Sequence, residues 1–268
     1  MNNGPMIRRR WVRANAGGTR VVVVVALLLL AVRAPAQDGA APVVISPDRP
    51  TYANGIQIVP LGHVQAETGA TVFRTGGATE VTAGEMTVRI PVSSRVEARV
   101  QLFSHMTAWG EETSSGVVDP TLDVKWKLFD TDATDFGLIA GTSLPAGARA
   151  QGEVHLQPFA TFSLDQVVTE ALSLTANLGA ASASDRGETF GKLYGGLAAA
   201  LQISPRVTLF LEGYWWSRTK AGGPGETALD ASLQYLVTGR FALDARVGIG
   251  LGRTAPDWSL GLGVAYMF

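Results

Sequence analysis

From about residue 61 onward, the sequence divides into stretches of about ten residues in which apolar and polar side chains alternate. Successive side chains of an extended strand point to opposite faces, so each stretch predicts a strand with one apolar and one polar face. In one such stretch, Leu243 and Val247 share a face, whereas Asp244 and Arg246 share the other. The predicted strands are 62–73, 82–92, 95–107, 120–129, 135–145, 153–164, 171–181, 190–203, 206–217, 227–237, 241–252 and 258–268.

The chemistry of the two faces indicates which one points inward. A soluble barrel fills its interior with the apolar face, but here the polar face carries charges of both signs and many glycines. Such a polar face is suited to line a water-filled interior, and the uniformly apolar face is suited to contact lipid. Closure into a barrel also leaves no strand edge unpaired in hydrocarbon. The sequence therefore predicts an all-β protein over 61–268, a transmembrane antiparallel up-and-down β-barrel of about twelve strands.

The connections between the predicted strands alternate in length. Ser93-Ser94, Ser204-Pro205 and Thr238-Gly239 are predicted tight turns, and an arginine follows each of them. The other connections are longer and richer in glycine and charge, at 108–119, 146–152, 182–189, 218–226 and 253–257. Short turns on one side and longer loops on the other are typical of the periplasmic and extracellular ends of a membrane barrel. A β-sandwich would have short turns and longer loops in no such order.

The segment Ser259–Phe268 alternates throughout and ends on an aromatic residue. It resembles the last strand of bacterial outer-membrane barrels, which the barrel-assembly machinery reads. That resemblance implies a place in the bacterial outer membrane, contact with outer-membrane lipid, and an assembly signal at Tyr266 and Phe268. A soluble sandwich can also end in this way, so the rest of the chain must decide.

The N-terminal residues predict an exported protein. Arginines precede the apolar run Val21–Val32, and Ala34-Pro35-Ala36 forms a small-x-small cleavage site, so residues 1–36 are predicted to be a signal peptide. A retained anchor is the alternative, although the run is shorter than the ~20 residues that span a bilayer. Residues 37–60 lack alternation and contain four prolines. They are either a disordered periplasmic leader or a plug whose Asp48-Arg49-Pro50 enters the barrel.

Composition limits the partners and cofactors. Six of the 22 Lys and Arg residues lie within 1–36, leaving 16 against 23 Asp and Glu, so the remaining chain has a net charge near −7. That balance argues against nucleic acid as a partner. The chain contains no cysteine, which excludes disulfides and thiol-ligated metals. We expect no cofactor and no metal.

Four short motifs carry a family resemblance. They are Leu122–Phe129 (LDVKWKLF), Ser143-Leu144-Pro145, Ala255–Trp258 (APDW) and Ile45–Pro50 (ISPDRP). Together they resemble the outer-membrane "transporter" proteins grouped with the MetA pathway of phenol degradation, over roughly residue 44 to the end. The resemblance implies a barrel that takes up small hydrophobic or aromatic solutes.

The inward positions supply the candidate functional residues. The ionisable candidates are Glu67, Glu85, Arg89, Glu97, Arg99, Asp123, Lys125, Lys127, Lys192, Glu212, Asp230, Asp244 and Arg246. They could form an ion-selective constriction or an interior network of salt bridges, and the two are compatible. The aromatic candidates are Tyr194, Phe210, Tyr214 and Trp216, which could guide an aromatic solute or fill a narrow lumen. Inward glycines and alanines opposite them leave space for water, a solute or a folded-in segment.

Three function classes remain open on the sequence. Passive transport is favoured by the polar, charged and glycine-rich inner face. A structural barrel without transport is the second class, although the loops are short for an adhesive surface. An enzyme such as a lipid hydrolase is the third; the only histidines are His63, His105 and His155, and no GxSxG, HExxH or Walker-type motif is present. We therefore predict no catalytic residue.

Overall fold

The structure is a computed structural model that describes residues 44–102, 104–110, 113–146, 155–185, 188–252 and 254–268. The predicted signal peptide, 1–36, and the first part of the predicted leader, 37–43, lie outside the described residues. Within the described ranges, no helix is long and apolar enough to cross a membrane.

The described residues form fifteen strand segments in one antiparallel sheet. Their bounds are β1 Gln65–Thr75, β2 Ala78–Ala83, β3 Thr87–Ser93, β4 Val96–Gln101, β5 His105–Trp109, β6 Ser114–Val117, β7 Thr121–Asp130, β8 Thr134–Ser143, β9 Gln157–Val167, β10 Leu172–Asp185, β11 Glu188–Ser204, β12 Val207–Trp216, β13 Glu226–Thr238, β14 Phe241–Gly250 and β15 Trp258–Met267.

The sheet closes on itself because β1 pairs with β15, from Gln65 opposite Met267 to Arg74 opposite Trp258. Three wall strands are each broken into two segments: β2 with β3, β4 with β5, and β6 with β7. In the first of these, the N–H groups of Gly84 and Glu85 both donate to the carbonyl of Gly69, at 3.0 and 3.2 Å, which makes a bulge. Counted by wall strands, the barrel has twelve, and the predicted fold is confirmed.

One end of the barrel, here the turn end, has short connections at 94–95, 131–133, 168–171, 205–206 and 239–240. Each of these turns uses the same device: a Ser or Thr hydroxyl accepts a hydrogen bond from the backbone N–H two residues later. The pairs are Ser93 with Arg95, Thr131 with Ala133, Thr169 with Ala171, Ser204 with Arg206, and Thr238 with Arg240. This local bond stabilises a tight turn, which explains the repeated Ser/Thr before each short connection.

The opposite end, here the loop end, differs from the prediction in two places. Within the predicted loop 182–189, residues 182–185 continue β10 and residues 188–189 begin β11, and the predicted loop 108–119 contains β6. Residues 182–189 are polar on both faces, so no alternation marks them as a strand. Backbone pairing continues there because hydrogen bonds between strands do not require an apolar face.

The faces of the strands alternate between exposed and buried. Val247 and Ile249 are exposed on the outer surface, whereas Asp244 and Arg246 on the same strand are buried inside. The outer face carries a belt of large exposed hydrophobic side chains, as a lipid-facing surface requires. The polar side chains of the strands point into the barrel, where they contact a segment of the chain that precedes β1.

Candidate functional site

Residues 44–61, which we call the inserted segment, lie inside the barrel without strand structure. The segment enters at the turn end, where the N–H of Ile45 donates to the carbonyl of Gly239 at 2.8 Å. It reaches Tyr52, whose ring packs against Tyr214 and Trp216 with centroids 4.3 and 6.0 Å apart. It then returns to the turn end, where Ile45 and Val59 pack with Ala242, Ala265 and Met267.

Side chains of the wall accept hydrogen bonds from the backbone of the inserted segment. Glu67 binds the N–H groups of Asp48 and Arg49 at 3.1 and 3.0 Å. Four further wall side chains do the same: Glu212 for Tyr52 and Ala53, Asn177 for Asn54, Asp165 for Ile56, and Glu97 for Val59. An irregular segment inside a barrel has no strand partner, so its buried N–H groups need acceptors of this kind.

Asp48 is the most strongly bound side chain of the segment. Its carboxylate lies 3.3 Å from Arg89, 2.7 Å from Arg99 and 2.8 Å from Lys125. Burial alone would raise the pKa of Asp48, but the three neighbouring cations outweigh it and hold the pKa well below its ordinary value. Asp48 is therefore ionised and anchors the segment to β3, β4 and β7.

The next residue anchors the segment to other strands. The guanidinium of Arg49 lies 3.0 Å from Glu85 and 3.3 Å from Asp244. It occupies the space beside two glycines: a Cβ at Gly263 would lie 2.3 Å from Arg49 Nε, and a Cβ at Gly69 would lie 2.4 Å from its Nη2. The space that the inward glycines leave is thus filled, at this point, by the folded-in segment.

A second cation completes the contacts near Tyr52. Arg246 donates to the carbonyl of Pro50 at 3.2 Å, and its guanidinium lies 4.3 Å from the ring centroid of Tyr52. Its own carboxylate partner is Asp230, with Nε and Oδ2 3.5 Å apart. The cation–π contact and the hydrogen bond hold the tip of the segment.

The structure divides the inner surface into two walls. The charged wall consists of β1, β3, β4, β7 and β12–β14. The neutral wall consists of β8–β11 and is named for its mainly uncharged inward side chains, although Asp135, Asp165 and Lys192 also point inward there. Among the predicted inward residues, those in contact with the inserted segment are Glu67, Glu85, Arg89, Glu97, Arg99, Lys125, Glu212, Tyr214, Trp216, Asp244 and Arg246. Asp123 and Asp230 support Arg99 and Arg246, and Lys127 pairs with Asp135.

The remaining predicted residues line two cavities along the neutral wall. The aromatic cavity, of about 410 Å³, lies toward the loop end and is lined by Tyr52, Phe159, Lys192, Tyr194, Tyr214 and Trp216 among others. The acidic cavity, of about 530 Å³, lies at the turn end and is lined by Asp48, Asp132, Asp135, Asp165, Glu170 and Phe210 among others. Residues 52–57 of the inserted segment lie between the two cavities and contribute to both.

Sequence reasoning missed several wall residues that hold the segment at this partition. The amide of Asn177 accepts from the N–H of Asn54 at 2.7 Å and donates to its carbonyl at 3.0 Å. Ser163 donates to that same carbonyl at 2.7 Å. Both residues are inward by alternation, but neutral side chains gave no chemical reason to select them. Asp165 was missed because the predicted strand ended at residue 164.

The histidines do not come together. His63 lies 2.9 Å from the carbonyl of Phe268, and His105 Nε2 lies 2.9 Å from Ser115 Oγ on an exposed part of β5 and β6. In the ranges that the structure describes, no group of three His, Asp or Glu residues could hold a metal ion. The His105–Ser115 pair has no carboxylate hydrogen-bonded to the histidine among those residues, so the third member of a catalytic triad is missing there.

The predicted assembly signal lies on the outer surface at the turn end. Tyr266 and Phe268 are exposed, and their ring centroids are 4.9 Å apart. Phe241 lies on the other side of Tyr266, at 6.4 Å. The role of this aromatic cluster in assembly stays a prediction.

Comparisons with known proteins agree with the architecture. An outer-membrane channel from Pseudomonas putida F1 superposes at a TM-score of 0.65 with 14% identity, covering 84% of this chain and 100% of that one. The NanC porin superposes at 0.52 with 13% identity, covering 76% of this chain and 98% of that one. Likeness at such low identity shows the barrel fold. No curated protein sequence matches this chain.

A family model described as "Putative MetA-pathway of phenol degradation" matches residues 47–268, which include the inserted segment from Pro47 onward and the whole barrel. The resemblance predicted from the four motifs is thus confirmed, and the chain belongs to this family.

Proposed function

We propose that the protein is an outer-membrane channel for the passive uptake of small hydrophobic or aromatic solutes. One observation carries the proposal: two cavities lie along the neutral wall, and residues 52–57 of the inserted segment contribute to the lining of both. The family description supports an aromatic solute, and the barrel fold of the structural relatives supports a channel. The inserted segment acts as the plug of this channel, and all of it except Leu61 falls within the predicted leader 37–60.

The plug is held by contacts that water can replace. Its backbone N–H groups bind carboxylates and amides, and its two charged side chains bind oppositely charged groups on the wall. Hydrogen bonds to charged groups contribute about 1.5–3 kcal/mol each, so release of the plug requires that water enters the lumen and binds these groups in its place. The plug can therefore leave its position without unfolding the barrel.

A disulfide lock tests the plug. A Cβ built at Gly196 lies 3.5 Å from the Cβ of Ala53, within the range of disulfides, and the native chain has no cysteine. The Ala53→Cys, Gly196→Cys double variant is reconstituted in proteoliposomes, and uptake of phenol is measured before and after reduction. We expect little uptake in the oxidised protein and restored uptake after reduction, with either single variant as the control. Equal uptake in both states would overturn the plug.

A second measurement tests the channel itself. The wild-type chain and a variant lacking residues 44–59 are compared in planar bilayers. We expect discrete conductance steps that grow when the segment is deleted, because about sixteen residues leave the lumen. Should neither protein conduct or take up phenol, the alternative of a structural outer-membrane barrel would replace this proposal.

The proposed location is the bacterial outer membrane, with outer-membrane lipid around the apolar belt and the assembly machinery reading Tyr266 and Phe268. Fractionation tests the location, and a shift in gel mobility between unboiled and boiled samples tests the barrel in membranes. A protein that stays soluble without detergent would contradict both. Substitution of Tyr266 by Ala should lower the amount of inserted barrel in cells.

The hydrolase alternative has one supporting observation, the His105–Ser115 pair. It is tested by release of fatty acid from phospholipid vesicles by the wild type and by Ser115→Ala. Activity that Ser115→Ala abolishes would favour a hydrolase. We expect no release from either protein.

A further inference from the structure

The two cavities differ in the sign of their charged side chains. Among the described residues, the lining of the aromatic cavity contains Arg99 and Lys192 and no carboxylate. The lining of the acidic cavity contains neither Lys nor Arg and five carboxylates, of which Asp48 and Asp135 are paired with cations of the wall. Asp132, Asp165 and Glu170 have no cationic partner among the described residues and leave this cavity with negative charge. A solute that carries a negative charge is therefore attracted on the loop side of the plug and repelled on the turn side.

The two cations of the aromatic cavity are not equivalent. Arg99 is already neutralised by Asp123 at 2.6 Å and Asp48 at 2.7 Å. Lys192 makes no ion pair and no hydrogen bond with any residue in the described ranges. Glu80 and Glu226 border a neighbouring cavity together with Lys192, but neither lies within the 4 Å of an ion pair. Lys192 is thus a cation on the inner wall whose charge is available to a solute.

Aromatic rings surround the same space. Trp216 packs edge to face with Tyr52 of the plug and with Tyr214, whose ring centroids lie 6.0 and 5.0 Å away. Tyr194 is held in place by a 2.6 Å hydrogen bond between its hydroxyl and that of Thr161. Edge-to-face packing is also how a protein ring meets the ring of a ligand. Benzene fills a protein cavity of roughly 150 Å³, so about 410 Å³ accommodates one substituted ring with water.

We propose that the aromatic cavity is a binding site for monoaromatic carboxylates, with Lys192 as the counter-ion of the carboxylate and the rings as the apolar contact. This inference rests on the proposed channel function and narrows its solute class. The acidic cavity beyond the plug does not retain such an anion, so the site lies on one side of the plug only. Lys192 determines the preference for an anion over a neutral ring of the same shape.

The test compares benzoate with benzamide, which has the same shape without the charge. Binding to the full exported chain in detergent is measured from the fluorescence of its tryptophans, for the wild type, Lys192→Gln and Lys192→Arg. We expect Lys192→Gln to weaken benzoate binding about tenfold and leave benzamide binding unchanged, and Lys192→Arg to retain benzoate binding. Lys220→Gln is the matched control, because Lys220 is an exposed lysine in the connection after β12. It should bind both probes as the wild type does.

Three results would overturn the inference, and they differ in what they say about the channel. If the wild type and Lys192→Gln bind and take up benzoate equally, the channel stands and the anion site is wrong. If neither benzoate nor benzamide is taken up by the wild type or by the variant lacking 44–59, the proposed channel function is wrong. The proposed binding site, which rests on that function, is then wrong as well. If Lys192→Gln binds neither benzoate nor benzamide and Lys192→Arg binds as the wild type does, Lys192 maintains the shape of the cavity. That result would also overturn the preference for an anion.

Discussion

The charged wall and the neutral wall of the barrel use their inward side chains for different purposes. On the charged wall, Arg89, Arg99 and Lys125 are buried against Asp48 of the inserted segment. On the neutral wall, β8–β11 contribute mainly small or uncharged inward residues, and both cavities lie along them. The charged wall thus holds the plug mainly through ion pairs, whereas the neutral wall holds it through hydrogen bonds from Ser163, Asp165 and Asn177 and also borders both cavities.

The largest expected effect is on the charged wall. Arg89 is fully buried and pairs with Glu67, Glu97 and Asp48, so Arg89→Ala leaves three carboxylates without their shared cation. We expect a loss of about 3–5 kcal/mol in the free energy of unfolding. The measurement is urea unfolding in lipid vesicles followed by gel mobility. The control is Arg95→Ala, whose exposed pair with Asp130 is worth about 0–1 kcal/mol. Equal losses of unfolding free energy in Arg89→Ala and Arg95→Ala would contradict the structural role of the charged wall.

A smaller effect should follow from filling the space of Arg49. In Gly263→Ala, the new methyl group would lie 2.3 Å from Arg49 Nε, so the guanidinium must move and the plug is held less tightly. Overpacking of this kind costs about 1–3 kcal/mol, and we expect more frequent openings in planar bilayers. Gly261→Ala, two residues earlier on the same face, meets only ordinary contacts at 3.4 Å and should behave as the wild type. Identical single-channel records for Gly263→Ala and the wild type would show that Arg49 does not hold the plug.

A smaller effect again is expected on the neutral wall. Asn177→Ala removes two hydrogen bonds to Asn54, at about 1 kcal/mol each, from the partition between the cavities. Phenol uptake should rise while the urea midpoint of the barrel stays the same. Thr142→Ala on β8 serves as the control, because Thr142 lines neither cavity and its hydroxyl binds the carbonyl of Ser143 instead of the plug. If Asn177→Ala lowers the stability of the barrel and leaves phenol uptake unchanged, Asn177 stabilises the barrel and does not hold the plug.

The smallest effect concerns pH. The pKa of Asp48 is held below its ordinary value of about 3.9, so its contribution to plug binding is complete above that value and is lost only as pH falls toward the lowered pKa. The titration of Asp48 should therefore contribute nothing to a change of conductance between about pH 8 and pH 5. Asp48→Asn, which removes the charge at every pH, should open the channel already at pH 7. A rise in wild-type conductance on going from pH 7 to pH 5 would show that another group controls the plug.

Several features could be predicted because their signal is local. Alternation with a period of two identified the twelve wall strands and their two faces, since each side chain reports its own face. The Ser or Thr before each short turn is equally local, because its hydroxyl bonds a backbone group two residues away. The hairpin between β10 and β11 was misassigned for the same reason: its polar residues carry no alternation, so nothing local marked it as strand.

Local patterns along the chain are enough to derive the barrel, its strand count and the presence of charges on the inner face. The pairing of those charges is visible only in the folded barrel, because the partners lie far apart in the chain. Arg49 and Asp244 are 195 positions apart, and they meet only once β1 and β15 close the barrel around the inserted segment. The division into a charged and a neutral wall follows from the same contacts. A buried irregular segment must find acceptors and counter-ions across the lumen, and no local pattern records which side chains supply them.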